Sequence, residues 1–241
     1  MKEYGIYSPN FNKKKRLSKS IKIIVIHYTG MQSERESIIR LCNKNSKVSS
    51  HFLINQKGIV YRLVKDSHVA WHAGKSCWGK YSNLNKNSIG IELVNRGHRF
   101  GYDNFKKKQL SSLIKICTRL IKKYKIKKKN IVGHSDIAPL RKIDPGEKFP
   151  WKEMADKKIG IWHNYKKGFL KKFRKVNVLK RDKKKFIQYL INIGYCAKSF
   201  KGKKVVKAFQ RHFRKELING VIDQESLIIA NNLSKKQQKN S

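Results

Sequence analysis

Apolar positions recur along this chain with two different periods, and the change of period marks out its elements. Ile21-Lys22-Ile23-Ile24-Val25-Ile26 is a β-branched run that ends at His27, with Tyr28-Thr29-Gly30 as a turn. That pattern predicts a buried strand with a histidine at its carboxyl end. Ser33 followed three residues later by Glu36 has capping-box spacing and opens a short helix with Ile38, Ile39, Leu41 and Cys42 on its apolar face. A hairpin is predicted from His51 to Asn55, around Gln56-Lys57-Gly58, and back from Ile59 to Val64. Ser88 to Val94 is a further strand in which Glu92 is a lone carboxylate among apolar neighbours. The period then changes: Leu110, Leu113, Ile114, Cys117, Leu120, Ile121 and Tyr124 recur at steps of three and four, the mark of an amphipathic helix with a lysine-rich outer face. Asn130 to Gly133 is a short strand ending at a second histidine, His134, and Pro139, Pro145, Gly146 and Pro150 punctuate the loop beyond it.

From Ile159 to Val178, lysines interleave with Trp162, Tyr165, Phe169 and Phe173, which predicts a linker with aromatic anchors. Three helical patterns follow. The first runs from Lys180 to Ile193 with Phe186, Tyr189, Leu190 and Ile193 inward, and the second from Lys203 to Leu217 with Val206, Phe209, Phe213 and Leu217 inward. The third runs from Asp223, as cap, to Leu233. The organisation predicted is an α/β unit over 15–158, a basic linker over 159–178 and a small all-α three-helix bundle over 179–233. The polar residues from Ser234 onward are expected to fray. Because the chemistry-bearing residues lie before Pro145, a chain cut after Lys175 is expected to keep its fold and activity.

Composition sharpens this picture. The 241 residues carry 58 Lys+Arg against 15 Asp+Glu, a formal net charge of +43, yet 39% are hydrophobic, enough to build a core. Lysine outnumbers arginine 46 to 12, a bias that an AT-rich genome imposes on solvent-facing positions without functional selection. Basic density peaks between Lys166 and Lys185, where a polyanion would be attracted. No nucleic-acid-binding motif accompanies those lysines, so no specific nucleic-acid partner is expected. No export signal is visible at the N-terminus and no run is long and apolar enough for a transmembrane segment, which predicts a soluble, monomeric, cytoplasmic protein. A periplasmic or wall-associated location is the alternative should a leader be missing. Cys42, Cys77, Cys117 and Cys196 form no C-x-x-C pair, so neither a cysteine zinc site nor a disulfide framework is expected.

Three residues at strand ends and in a loop could ligate a metal: His27, His134 and Asp144. Two imidazoles and one carboxylate leave one of zinc's four tetrahedral positions open, as a catalytic site requires. There is no H-E-x-x-H, so a helix-borne zinc protease site is absent.

The blocks around these residues resemble the amidase_2 group of zinc N-acetylmuramoyl-L-alanine amidases, relatives of phage T7 lysozyme and the peptidoglycan-recognition fold. The likeness over about residues 15–157 runs in order through Ile24 to Thr29, Ser50 to Ile54, Ala70-Trp71-His72-Ala73-Gly74, Ser88 to Leu93, Val132 to Pro139 and Arg141 to Gly146. It implies a mixed central sheet flanked by helices and one zinc ion held by His27, His134 and Asp144. It further implies that Glu92 handles protons, that Lys142 is a cation beside the metal, and that Trp71 and His72 line the substrate groove. Cleavage of the amide between N-acetylmuramic acid and L-alanine, in peptidoglycan or in (anhydro-)muropeptides, is the implied reaction. A basic polyanion or nucleic-acid binder on a retained amidase scaffold is the alternative. His51 reads as structural, and Cys77, with no orienting base recognisable near it, as an ordinary thiol. The C-terminal helices resemble a three-helix peptidoglycan-binding module, although Ala197 to Gly202 replaces that module's usual Asp-Gly-x-Phe-Gly stretch.

Overall fold

The computed structural model describes residues 3–196 and 202–238. In chain order the strands and helices of the first half are β1 (Glu3–Gly5), β2 (Phe11–Asn12), β3 (Ile23–Tyr28), α1 (Glu34–Cys42), β4 (Phe52–Ile54), β5 (Val60–Arg62), β6 (Val69–Ala70), β7 (Cys77–Trp78), β8 (Tyr81–Ser82) and β9 (Ser88–Leu93). The rest are α2 (Lys107–Tyr124), β10 (Ile131–Gly133), α3 (His134–Ile137), α4 (Trp151–Asp156), α5 (Lys167–Lys171), α6 (Lys180–Ile193), α7 (Lys204–Phe213) and α8 (Gln224–Gln238). Six strands form one mixed sheet in the order β1-β5-β4-β9-β3-β10. Strands β4, β9, β3 and β10 run parallel, whereas β4 and β5 are the predicted antiparallel hairpin.

Alternation within β3 decides what covers each face. Ile24 and Ile26, with Ile89 and Ile91 of β9, point to the side covered by α2, where Leu113, Ile116, Cys117 and Leu120 meet them. Ile23 and Val25, with Val132 of β10, point to the opposite side and share one apolar cluster with Phe186, Leu190, Phe209 and Leu233 of α6, α7 and α8. A strand covered on both faces needs apolar residues at every position, which is why this run does not alternate. The C-terminal helices thus cover one face of the sheet. Within the predicted linker, Leu170 of α5 is buried in the same cluster.

Several local expectations are corrected. Ile39 of α1 is 54% exposed while Ser37 and Leu41 turn inward. The Ser33 hydroxyl accepts from the Glu36 amide as a cap, but the Glu36 carboxylate receives the amide of Gln32 rather than that of Ser33. His134 opens a helix instead of ending a strand. The second bundle helix stops at Phe213, and the third continues to Gln238 with Ser234 buried against Asn192, so residues 234–238 do not fray. Asp223 caps α8 as predicted, its carboxylate accepting from the Ser226 amide.

Cysteine pairing is a further correction: Cys77 and Cys196, 119 residues apart, form a disulfide between β7 and the segment after α6. The Gly79 amide donates to the Gly194 carbonyl there, and Trp78 packs on Tyr195. Spacing along the chain held no trace of this pair, because docking of the helices brings the two thiols together. Cys42 and Cys117 are free.

Candidate active site

The site forms at the carboxyl ends of the parallel strands, where side chains from neighbouring strands converge outside the sheet edge. His27 lies near the end of β3, directly opposite Glu92 of β9 in the strand register. His134 follows β10 at once, and Asp144 returns on the next loop, tied down by the Ser135 amide donating to the Asp144 carbonyl at 2.8 Å. All three candidate ligands are buried, and with Glu92 and Lys142 they line a cavity of about 290 Å³. A larger cavity of about 670 Å³ between α4 and the C-terminal helices contains none of these residues.

Three atoms converge in the smaller cavity. His27 Nδ1 lies 3.0 Å from His134 Nδ1 and 3.0 Å from Asp144 Oδ2, and His134 Nδ1 lies 3.1 Å from the same carboxylate oxygen. The far nitrogen of His134 lies 3.2 Å from the Ala73 carbonyl and 3.4 Å from the Arg141 guanidinium. Burial lowers the His27 imidazole to about 4, adding to repulsion from His134, so His27 is neutral near pH 7. Its Nε2 lies 3.1 Å from His72 Nδ1. Burial alone would raise the Asp144 carboxyl, but the imidazoles of His134 and His27 hold it below the ordinary carboxylate range. Two imidazole nitrogens and a carboxylate oxygen converge within about 3.1 Å of one another, and all three can offer a lone pair to one cation. Ligand atoms bonded to one zinc at about 2.0–2.1 Å in a tetrahedron would stand roughly 3.3 Å apart, close to the separations seen. The donor set therefore fits zinc.

Glu92 Oε2 is shielded from solvent and has no hydrogen-bond partner among the described residues. Its carboxyl is pushed up to about 8, first by burial and then by Asp144, with Lys142 pulling the other way. Lys142 thus stands close enough for its charge to act on Glu92. Arg141 also lines the cavity, its guanidinium donating to the Ala73 and Lys75 carbonyls. It was not singled out from sequence, although it adjoins Lys142.

The two groove candidates part company. His72 lines the cavity beside His27, and burial first and nearby imidazoles second lower it well below 6.5. Trp71 does not line the cavity: its indole N–H donates to Asn12 Oδ1 at 2.6 Å, and its backbone amide to Ser49 Oγ. His51, read as structural, is fully buried and accepts the Gly90 amide at Nδ1.

Behind α3 lies a second buried carboxylate that sequence reading passed over. Asp136 receives the Gly133 amide at 2.8 Å and His212 Nδ1 at 2.7 Å on one oxygen, and the Tyr195 hydroxyl at 2.7 Å on the other. Tyr195 and His212 belong to the C-terminal part, so that part reaches the helix on which His134 sits.

Residues 17–147 match the model of the Amidase_2 family, N-acetylmuramoyl-L-alanine amidase. The chain is 37% identical over 232 residues to the N-acetylmuramoyl-L-alanine amidase AmiD of Escherichia coli, spanning 90% of this chain and 83% of that protein. It is 34% identical over 164 residues to the 1,6-anhydro-N-acetylmuramyl-L-alanine amidase AmpD of Haemophilus influenzae, spanning 61% of this chain and 86% of that protein. Among solved structures, E. coli AmiD in complex with the substrate anhydro-N-acetylmuramic acid-L-Ala-D-γ-Glu-L-Lys superposes with a TM-score of 0.79 at 35% identity, covering 93% of this chain and 92% of that one. AmpDh3 from Pseudomonas aeruginosa gives 0.79 at 29% identity, covering 96% and 98%. AmiD and AmpD are amidases, and the alternative of a polyanion binder gains no support from them. The chain belongs to the N-acetylmuramoyl-L-alanine amidase family and is a hydrolase of the amide bond between N-acetylmuramic acid and L-alanine.

Proposed function

We propose that this amidase is zinc-dependent and acts on soluble anhydro-muropeptides, with His27, His134 and Asp144 as ligands of one zinc ion. The observation that carries the metal reading is the triangle of acceptor atoms at 3.0–3.1 Å. When bound, zinc supplies Lewis acidity to the attacking water and the scissile carbonyl. The chain's own residues do the rest. Glu92 accepts the proton of the attacking water at its unpartnered Oε2 and returns it to the leaving amine. Lys142 places positive charge where the carbonyl oxygen becomes negative. His27 and His134 keep their Nδ1 lone pairs turned into the cavity. The substrate class is supported by the muropeptide held in the AmiD complex.

Reconstitution followed by metal analysis should find one zinc per chain, and chelation should stop hydrolysis; absence of bound zinc would overturn the metal reading. Incubation with anhydro-muropeptides and with intact sacculi in separate reactions, with released peptide read by mass spectrometry, tests the substrate. Release from sacculi alone would overturn the soluble-substrate reading.

The Cys77–Cys196 bridge supports the alternative location, outside the reducing cytosol, because disulfides persist in oxidising compartments. Among the described residues no helix is long and apolar enough to cross a membrane. Non-reducing alkylation of protein taken from its native cells, read by mass spectrometry, tests the bridge; two alkylated thiols at Cys77 and Cys196 would return the assignment to the cytoplasm.

A further inference from the structure

We propose that His72 and Ser88 form a fixed hydrogen-bond relay that sets the tautomer of His27, which makes His72 a positioning residue for the metal site. The inference deepens the zinc reading above and rests on it for its affinity readout.

The direction of every bond in the relay follows from proton counting. Ser88 Oγ lies 2.6 Å from the Leu84 carbonyl, which only accepts, so the single hydroxyl proton of Ser88 is spent there. Ser88 Oγ must then accept at its other contact, His72 Nε2 at 3.2 Å, which places a proton on that nitrogen. Neutral His72 is left with a lone pair on Nδ1, and the atom facing it at 3.1 Å is His27 Nε2. His27 therefore donates from Nε2 and keeps its own lone pair on Nδ1, the nitrogen that faces Asp144 and His134. Counted from the other end the result is the same: an imidazole that ligates through Nδ1 must carry its proton on Nε2, and that proton needs an acceptor. Reversing the relay would turn the Ser88 hydroxyl proton to His72 and leave Ser88 Oγ and the Leu84 carbonyl, 2.6 Å apart, with no proton between them.

The backbone makes room for this arrangement. Gly90 lies on the same face of β9 as Glu92, and a Cβ there would collide with the His72 ring. A glycine inside a strand marks a close approach of this kind. The relay also divides the work between the two histidine ligands, because His134 Nε2 meets a main-chain carbonyl that no side-chain substitution removes, whereas His27 depends on a side chain. Groups that orient a metal-ligating imidazole in this way typically contribute 10- to 100-fold in metal affinity.

Two readouts test it. In the wild-type protein, long-range ¹H–¹⁵N spectra of the imidazoles should show His72 protonated at Nε2 in the metal-free form, and His27 protonated at Nε2 once zinc is bound. A proton on Nδ1 of neutral His72 would overturn the proposal whether or not the protein binds zinc. In chelator competition, His72→Leu should weaken zinc binding by roughly 10- to 100-fold. His72→Asn, whose amide oxygen stands near the Nδ1 position, should recover most of that loss. Ser88→Ala, a smaller change that guards against misfolding of the Leu variant, should weaken binding about fivefold, the worth of one hydrogen bond, and should show mixed tautomers at His72. Zinc affinity unchanged in His72→Leu, or equally poor in the Leu and Asn variants, would overturn the proposal. If wild-type protein bound no zinc at all, the metal reading would fall and the tautomer spectrum would still decide the relay.

Discussion

Asp136 and Asp144 are two buried carboxylates eight residues apart on either side of one loop, and their surroundings are opposite. Asp136 meets three donors, from Gly133, Tyr195 and His212, and its charge is fully used in holding α3 to the C-terminal helices. Asp144 meets two imidazole nitrogens, those of His27 and His134, and among the described residues no hydroxyl or main-chain amide donates to its carboxylate. Burial is nearly the same for both, at 2% and 7% exposure. Burial alone therefore does not separate a structural carboxylate from a functional one. The count of donors against acceptors does.

The largest test of this contrast removes the donors wholesale. A chain ending at Lys175 keeps every site residue, yet it loses Tyr195 and His212 from Asp136 and uncovers Ile23, Val25 and Val132 of the sheet. It should be recovered unfolded or aggregated, as read by circular dichroism and size-exclusion chromatography, contrary to the expectation that the first half stands alone. Next in size, His134→Ala or Asp144→Ala should lose both zinc and amide hydrolysis while the fold survives, measured by metal content and peptide release. Glu92→Gln should keep one zinc per chain and lose turnover by roughly 10²- to 10⁴-fold, the range for a positioned proton-transfer group. Loss of zinc in that variant would place Glu92 among the ligands instead. On the Asp136 side, His212→Ala leaves a buried carboxylate short of one partner and should cost about 1–3 kcal/mol in denaturant unfolding, with zinc content unchanged.

The smallest effect is a pH dependence. Glu92 is raised from its ordinary 4.5 to about 8 by burial and Asp144, so the folded metal-free chain keeps a proton that the unfolded chain has already released. Stability on this account is intact below about pH 4.5 and declines as pH rises toward 8, levelling off above it. Comparing metal-free wild type with Glu92→Gln across that range should show the decline in wild type alone.

Much of the scaffold was legible because its signals are local. The continuous run of β3, the three-and-four spacing of α2 and the Asp223 cap each depend on neighbours a few residues away, and each element forms where its pattern lies. Errors gathered where the partner is distant. Ile39 was placed inward by apolarity, whereas the packing of α1 turns Ser37 inward instead. The stretch from Ala197 to Lys201, on which the likeness to a wall-binding module turned, lies outside the described residues.

From the sequence came the strands β3, β4, β5, β9 and β10, the helices α1 and α2 and the three C-terminal helices and, through the blocks around His27, Glu92, His134 and Asp144, the family and its reaction. Only the tertiary structure decided which nitrogen of each histidine faces the cavity, that His72 lines it against a ligand while Trp71 turns toward Asn12, that Cys77 meets Cys196, and that Asp136 meets three donors where Asp144 meets imidazoles alone. The physical reason is range. Periodicity is written in residues two to four apart, but the direction of a hydrogen bond depends on what the partner, often more than forty residues away, has left to donate.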